Sequence, residues 1–285
     1  MIDKIYICTS KDQALPAKIA KFSFQKYLEP SIEIEIINNE NLPYLAKITG
    51  KEYLRRGKKE LFNPNDMQSF TLARFCIPNL MGYKGNALVI DPDIFLVSPH
   101  QFYLHKDFCF DKYAIFCRKN NSNNSWASSS MFLNCSKLKH WKIEDFINQL
   151  IDRHIDYFDL INLIKETADI CEIPRIWNDF DNLDNKSILL HLTQKDSQPW
   201  RAGLRLDTYI PPILGLIPRA PIYRLFGRNL TIGREHPNDN ISNLFFTLFR
   251  ECIKTKIITE DEIDAAIADG FLRQDIKNIV LSDST

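Results

Sequence analysis

Short apolar runs closed by polar residues alternate with longer amphipathic stretches along much of the chain. Lys4 to Thr9 alternates around Ile5, Ile7 and Cys8 and predicts a first strand, Pro16 opens a helical pattern that runs to about Tyr27, and Ile32 to Ile37 predicts a second strand closed by Asn38 and Asn39. Strand, helix, strand in that order opens an α/β domain with a largely parallel sheet. Ser69 to Pro78 reads as a helix, with Phe70, Ala73 and Ile77 on one face and Pro78 ending or kinking it. Ala87 to Ile90 is a buried strand, followed at once by Asp91-Pro92-Asp93. Ile94 to Val97, Phe110 to Cys117, the run Met131-Phe132-Leu133 and Ser187 to Thr193 extend the sheet, the last as its final core strand. Lys137 to Asp159 reads as helical and continues in that style toward Ile173-Pro174. Two more helices are expected at Asn243 to Lys254 and Thr259 to Asp269, with Thr259 capping a first turn of Glu260, Asp261 and Glu262.

The length of 285 residues allows one extended domain or two small ones. Nineteen Phe among the aromatics exclude disorder for most of the chain. The 36 basic and 36 acidic side chains cancel, so no overall charge favours nucleic acid as a partner. Seven scattered cysteines form no CxxC pair, which argues against a zinc ribbon or dithiol site and makes the reducing cytosol the simplest compartment. MIDKIYICTS enters a strand pattern directly, without the basic start and long apolar core of a signal peptide.

Chemistry concentrates on the sheet's expected carboxyl edge, where open α/β sheets bind ligands. Asp91 and Asp93 are spaced so that both carboxylates can turn toward one cation, although Asp-Pro-Asp is also ordinary turn chemistry. His191 leaves a strand where a ring nitrogen could complete an Asp/Asp/His set, the plainer reading being a satisfied core histidine. The polar loop Thr9-Ser10-Lys11-Asp12 follows the first strand, and Arg74 is the charged exception on an apolar helix, placed to snorkel or to pair with an aspartate or phosphate. Ser128, Ser129 and Ser130 are small enough to let a bulky ligand approach, and Trp200 offers an aromatic wall. Lys51 to Glu60 carries five basic residues around Gly57 and reads as surface or as a lid, with Arg55 and Arg56 as candidates against a diphosphate.

SFTLARFCIPNL, ALVIDPDIFL, SSSMFLNC, IPRIWND and HLTQKDSQPW together, in this order, resemble the retaining glycosyltransferases of family 8, which include bacterial lipopolysaccharide galactosyl- and glucosyltransferases and glycogenin. The resemblance spans about residues 4 to 200. It implies a GT-A fold, that is, a Rossmann-like, mostly parallel central sheet flanked by helices, over residues 1–207, with a helical C-terminal extension over 208–285. It further implies Mn²⁺ or Mg²⁺ held by Asp91, Asp93 and His191, and a nucleotide-sugar contacted by Thr9, Ser10, Asp12, Arg74, Pro92, Ser129, Ser130, Lys195 and Trp200. The expected reaction moves a hexose, from UDP-glucose or UDP-galactose, to a glycan or lipid-linked saccharide hydroxyl with retention. Arg74, Asp93 and Asp159 are the expected catalytic residues, with Asp156 or Asp179 as alternatives to Asp159 facing the sugar. Two departures stand out: HLTQKDSQPW lacks the family's glycine and replaces its Lys-Pro-Trp by Gln198-Pro199-Trp200, and Tyr157-Phe158-Asp159-Leu160-Ile161-Asn162 keeps only the last Asp and Asn of a longer acidic motif. A nucleotidyltransferase and a catalytically degenerate sugar-nucleotide binder are the rival functions. Residues 209–234 mix arginines with apolar residues and suggest a peripheral contact with the inner face of a membrane, packed helices being the simpler reading.

Overall fold

The computed structural model describes residues 1–120, 125–206 and 232–281. The chain forms two compact units, Met1–His191 and Leu192–Thr285. The expected boundary between 207 and 208, and the 209–231 part of the membrane-facing stretch, lie outside the described residues. Among the described residues no helix is long and apolar enough to cross a membrane.

The first unit has the expected α/β architecture. Its six-stranded sheet contains β1 (Lys4–Thr9), β2 (Glu33–Asn38), β5 (Asn86–Ile90), β7 (Ile115–Lys119), β8 (Trp126–Asn134) and β9 (Ile170–Glu172), in the order β2-β1-β5-β8-β7-β9. The pairings β2–β1, β1–β5 and β7–β9 are parallel, and β8 runs antiparallel to both its neighbours. β1 and β5 are buried almost throughout, as strands covered on both faces must be, which is why they read as continuous apolar runs. Helix α1 (Ala14–Gln25) buries Ile19, Ala20 and Phe24, and the Ser23 hydroxyl accepts from the Leu96 amide at 3.0 Å. Pro16 sits in the first turn of α1, where its missing N–H costs no bond.

A second, three-stranded sheet, β10-β11-β6, is built from β10 (Asp179–Phe180), β11 (Leu189–His191) and β6 (Ile94–Leu96). The expected core strand Ser187 to Thr193 is therefore shorter than its pattern and belongs to this small sheet, antiparallel to β6, not to the main one. Asp91-Pro92-Asp93 is the joint at which the chain leaves the main sheet and enters the small one.

Three further elements differ from expectation. Ser69–Cys76 is a 3-10 helix, and Pro78 lies in the first turn of the short α3 (Ile77–Leu80), so it begins that helix instead of ending one. The long helix expected from Lys137 is divided into α5 (Ile143–Ile151) and α6 (Tyr157–Ile161), with Arg153 between them at φ 60°. Lys51 to Glu60 is a hairpin of β3 (Glu52–Arg55) and β4 (Lys58–Leu61), turned by Arg56 and Gly57 at φ 53° and 73°.

In the second unit the helix Asp239–Lys254 buries Ile241, Phe245, Leu248, Phe249 and Cys252, and Trp200 packs on Phe245 at 4.9 Å between ring centres. The helix Glu260–Ala268 begins with the expected Thr259 cap, completed as a capping box by Glu262.

Candidate functional site

Strand register brings the three metal-ligand candidates together. β1 and β5 run side by side with Ile7 beside Ile90, so Thr9 and Asp91 leave the sheet at the same carboxyl edge. Across the joint, β6 sets Ile94 opposite His191, which puts the ring next to Asp93. The ligand atoms of Asp91, Asp93 and His191, all buried, lie within 4.8 Å of one another, and His191 Nε2 is 3.3 Å from Asp93 Oδ1. Two carboxylates and an imidazole form a donor set that suits a first-row divalent ion.

Arg74 occupies the back of this group. Its Nε donates to Asp91 Oδ1 at 2.9 Å and Nη2 to Oδ2 at 2.6 Å, while Nη1 donates to the Ser128 hydroxyl at 2.7 Å. The fork fixes the carboxylate plane and still leaves each oxygen a free lone pair direction. Burial pushes the Asp91 carboxyl up to about 6 against the lowering pull of Arg74. For His191, burial alone would lower the pKa, but the neighbouring Asp93 and Asp91 carboxylates outweigh it and raise the pKa above the ordinary value.

The remaining expected residues fall into three groups. Thr9, Ser10 and Asp12 stand at the same sheet edge, with the Ser10 hydroxyl donating to the Asp12 carboxylate. Pro92 is buried inside the joint, Ser129 accepts the Asp91 amide at its carbonyl at 3.0 Å, and Ser130 donates to the Trp177 carbonyl at 3.0 Å. Lys195 and Trp200 belong to the second unit, Trp200 fully buried in it.

The three carboxylates considered for the sugar differ in what they already bind. Asp179 is taken up by Arg175, Asn182 and Ser187, and Asp156 accepts the amides of Arg56, Gly57 and Phe158. Asp159 is half-buried on α6 and pairs at 3.4 Å with the exposed Lys165. Arg55 is also occupied: it bonds Asp66 and Gln68 and lies 5.2 Å from the Tyr157 ring centre.

A residue without an assigned role from the sequence stands beside the group. Asn178 is fully buried, its Oδ1 is 2.8 Å from His191 Nδ1, and its Nδ2 donates to the Ser129 hydroxyl at 2.9 Å. Its place in IPRIWND, one step ahead of β10, was the available signal.

The fold resembles several solved glycosyltransferase structures at low identity. One is the glycosyltransferase GlyE of Streptococcus pneumoniae TIGR4, at 14% identity and a TM-score of 0.48 over 70% of this chain and 56% of that one. Another is the galactosyltransferase LgtC in complex with donor and acceptor sugar analogs, at 13% identity and 0.46 over 69% and 89%. A third is mouse xyloside xylosyltransferase 1 in its apo form, at 10% and 0.43 over 68% and 98%. The chain thus spans little more than half the length of GlyE. No protein-family model and no curated protein matches the sequence.

Proposed function

We propose that this protein is a GT-A glycosyltransferase, resembling family 8, that moves a hexose from a nucleotide-sugar to a saccharide hydroxyl with retention of configuration. The observation that carries the reading is the buried Asp91, Asp93 and His191 group at the carboxyl edge of an α/β sheet. Imidazole in the set favours Mn²⁺ over Mg²⁺, which prefers oxygen donors and retains its water. A divalent ion there supplies the positive charge that holds a diphosphate and stabilises it as leaving group.

The chain's own part is positioning. Arg74 fixes the Asp91 carboxylate from behind, and Ser128, which binds both Arg74 and the Ile161 carbonyl, ties that fork to the end of α6. On that same helix Asp159 is the carboxylate with oxygens left for a sugar, which favours it over Asp156 and Asp179. Thr9, Ser10 and Asp12 line the edge where the nucleoside would lie. UDP-glucose and UDP-galactose are the donors to test first, and a glycan or lipid-linked saccharide is the acceptor class.

Release of UDP from these two donors, with and without Mn²⁺, tests the reading. Asp93→Asn should keep the melting profile of the metal-free protein and lose at least about a hundredfold in Mn²⁺-dependent turnover. Turnover at the native rate after that change would sink the metal assignment, and no Mn²⁺-linked binding of UDP would sink the donor class.

A further inference from the structure

His191 is useful to a cation only if its Nε2, the nitrogen that faces Asp93, carries a lone pair. Which nitrogen holds the proton is decided on the other side of the ring, and there the partner is an amide that could present either oxygen or nitrogen to Nδ1. We infer that Asn178 is the positioning residue of this site: its side-chain oxygen accepts the Nδ1 proton of His191 and so holds Nε2 open toward Asp91 and Asp93. The inference rests on the metal reading above and names the group that prepares the site for the ion.

The groups around Asn178 hold it in that role. Its Nδ2 lies 2.9 Å from the Ser129 hydroxyl, and its oxygen 2.8 Å from His191 Nδ1. Its backbone carbonyl accepts from Arg118 Nη1 at 2.8 Å. The Arg118 guanidinium lies 4.1 Å from the ring centre of Phe180, and Phe180 meets His191 edge-on at 5.4 Å. Asn178 and Phe180, two residues apart, both reach the His191 ring and grip it together. Asp179 between them turns the other way, into Arg175, Asn182 and Ser187. The segment is anchored at both of its faces, and the fully buried Asn178 side chain has little freedom to rotate.

The amide also joins two halves of the site. Ser129, which takes the Nδ2 proton, accepts the Asp91 amide at its own carbonyl, so one side chain links the backbone behind Asp91 to the ring beside Asp93. The rival arrangement has the amide turned over, Nδ2 donating to Nδ1 and Nε2–H donating to Asp93; that state would block the cation.

Two measurements separate the alternatives on the full chain. In the metal-free protein at alkaline pH, imidazole ¹⁵N shifts of His191 should show the proton on Nδ1; a proton on Nε2 would overturn the inference whether or not a metal binds. For Mn²⁺ itself, Asn178→Asp keeps an acceptor facing Nδ1 and should bind as the native chain does, whereas Asn178→Leu should lose about ten- to hundredfold in affinity and move the proton to Nε2. Equal losses in both variants would make Asn178 a packing residue only. If the leucine variant does not fold, the aspartate variant and the native ¹⁵N shifts still decide. Failure of the native protein to bind Mn²⁺ would strike the metal reading, while the proton position would still confirm or overturn the role of Asn178.

Discussion

His105 has no exposed surface and lies among aromatic rings, 5.0 Å from the centre of Phe102 and 6.0 Å from that of Phe132. Nδ1 donates to the Phe102 carbonyl at 2.7 Å, and buried Nε2 makes no hydrogen bond among the described residues. Burial lowers its pKa, more than the Phe102 bond raises it. The unfolded chain takes up this proton near the ordinary value of about 6.5 and the folded chain only at lower pH. The contribution is therefore complete above that value and is lost as pH falls through it toward the folded pKa. His105→Leu should flatten the decline in melting temperature between about pH 7.5 and about pH 5; an unchanged slope would show that the acid sensitivity lies elsewhere. At this scale residue type and spacing pointed to Asp91, Asp93 and His191, and the fold brings their ligand atoms within 4.8 Å of one another. The sequence left Asp156 and Asp179 as alternatives to Asp159, because carboxylates look alike there until their hydrogen bonds are known.

Among elements, the hairpin of β3 and β4 shows how an acidic residue can serve structure. Asp156 accepts the amides of Arg56 and Gly57 at 3.0 and 2.7 Å and that of Phe158 at 2.7 Å, so one carboxylate closes the hairpin turn and caps α6. The Arg56 guanidinium adds a contact 4.8 Å from the Phe158 ring centre. Burial would raise the Asp156 pKa, but these amides hold it below the ordinary carboxylate value. Its stabilising effect is thus present above the unfolded value of about 3.9 and fades as pH falls through the folded one. Asp156→Ala should cost about 2 kcal/mol in denaturant melts at neutral pH, with Asp156→Asn costing less; a neutral alanine variant would refute the cap. The hairpin was hard to read because β4 is exposed along its whole length, so KEYLRRGKKE has no apolar alternation. The strands β1, β2 and β5 and the Thr259 cap were legible for the opposite reason: local pattern and tertiary burial agree there.

The two-sheet construction of the first unit is the property no local pattern disclosed. ALVIDPDIFLV reads as two successive strands of one sheet, yet β5 belongs to the larger sheet and β6 to the smaller, and the joint carries two of the three candidate ligands. The smaller sheet has strands of only two, three and three residues, so it has few ladder bonds with which to resist local opening. A cation that binds only the closed joint would lower the open fraction by the factor 1 + [M]/Kd, about a hundredfold when its concentration is about a hundred times Kd. Hydrogen exchange should therefore slow with Mn²⁺ at the amides of Val97 and Asp181, which bond the Ile188 and His191 carbonyls at 2.9 Å. The Phe62 amide, which bonds the Lys51 carbonyl at the base of the hairpin, can open without disturbing the joint and should not respond. In Asp93→Asn the slowing should disappear. Equal slowing at Phe62, or none at Val97 and Asp181, would mean that the small sheet does not depend on the ion for its closure.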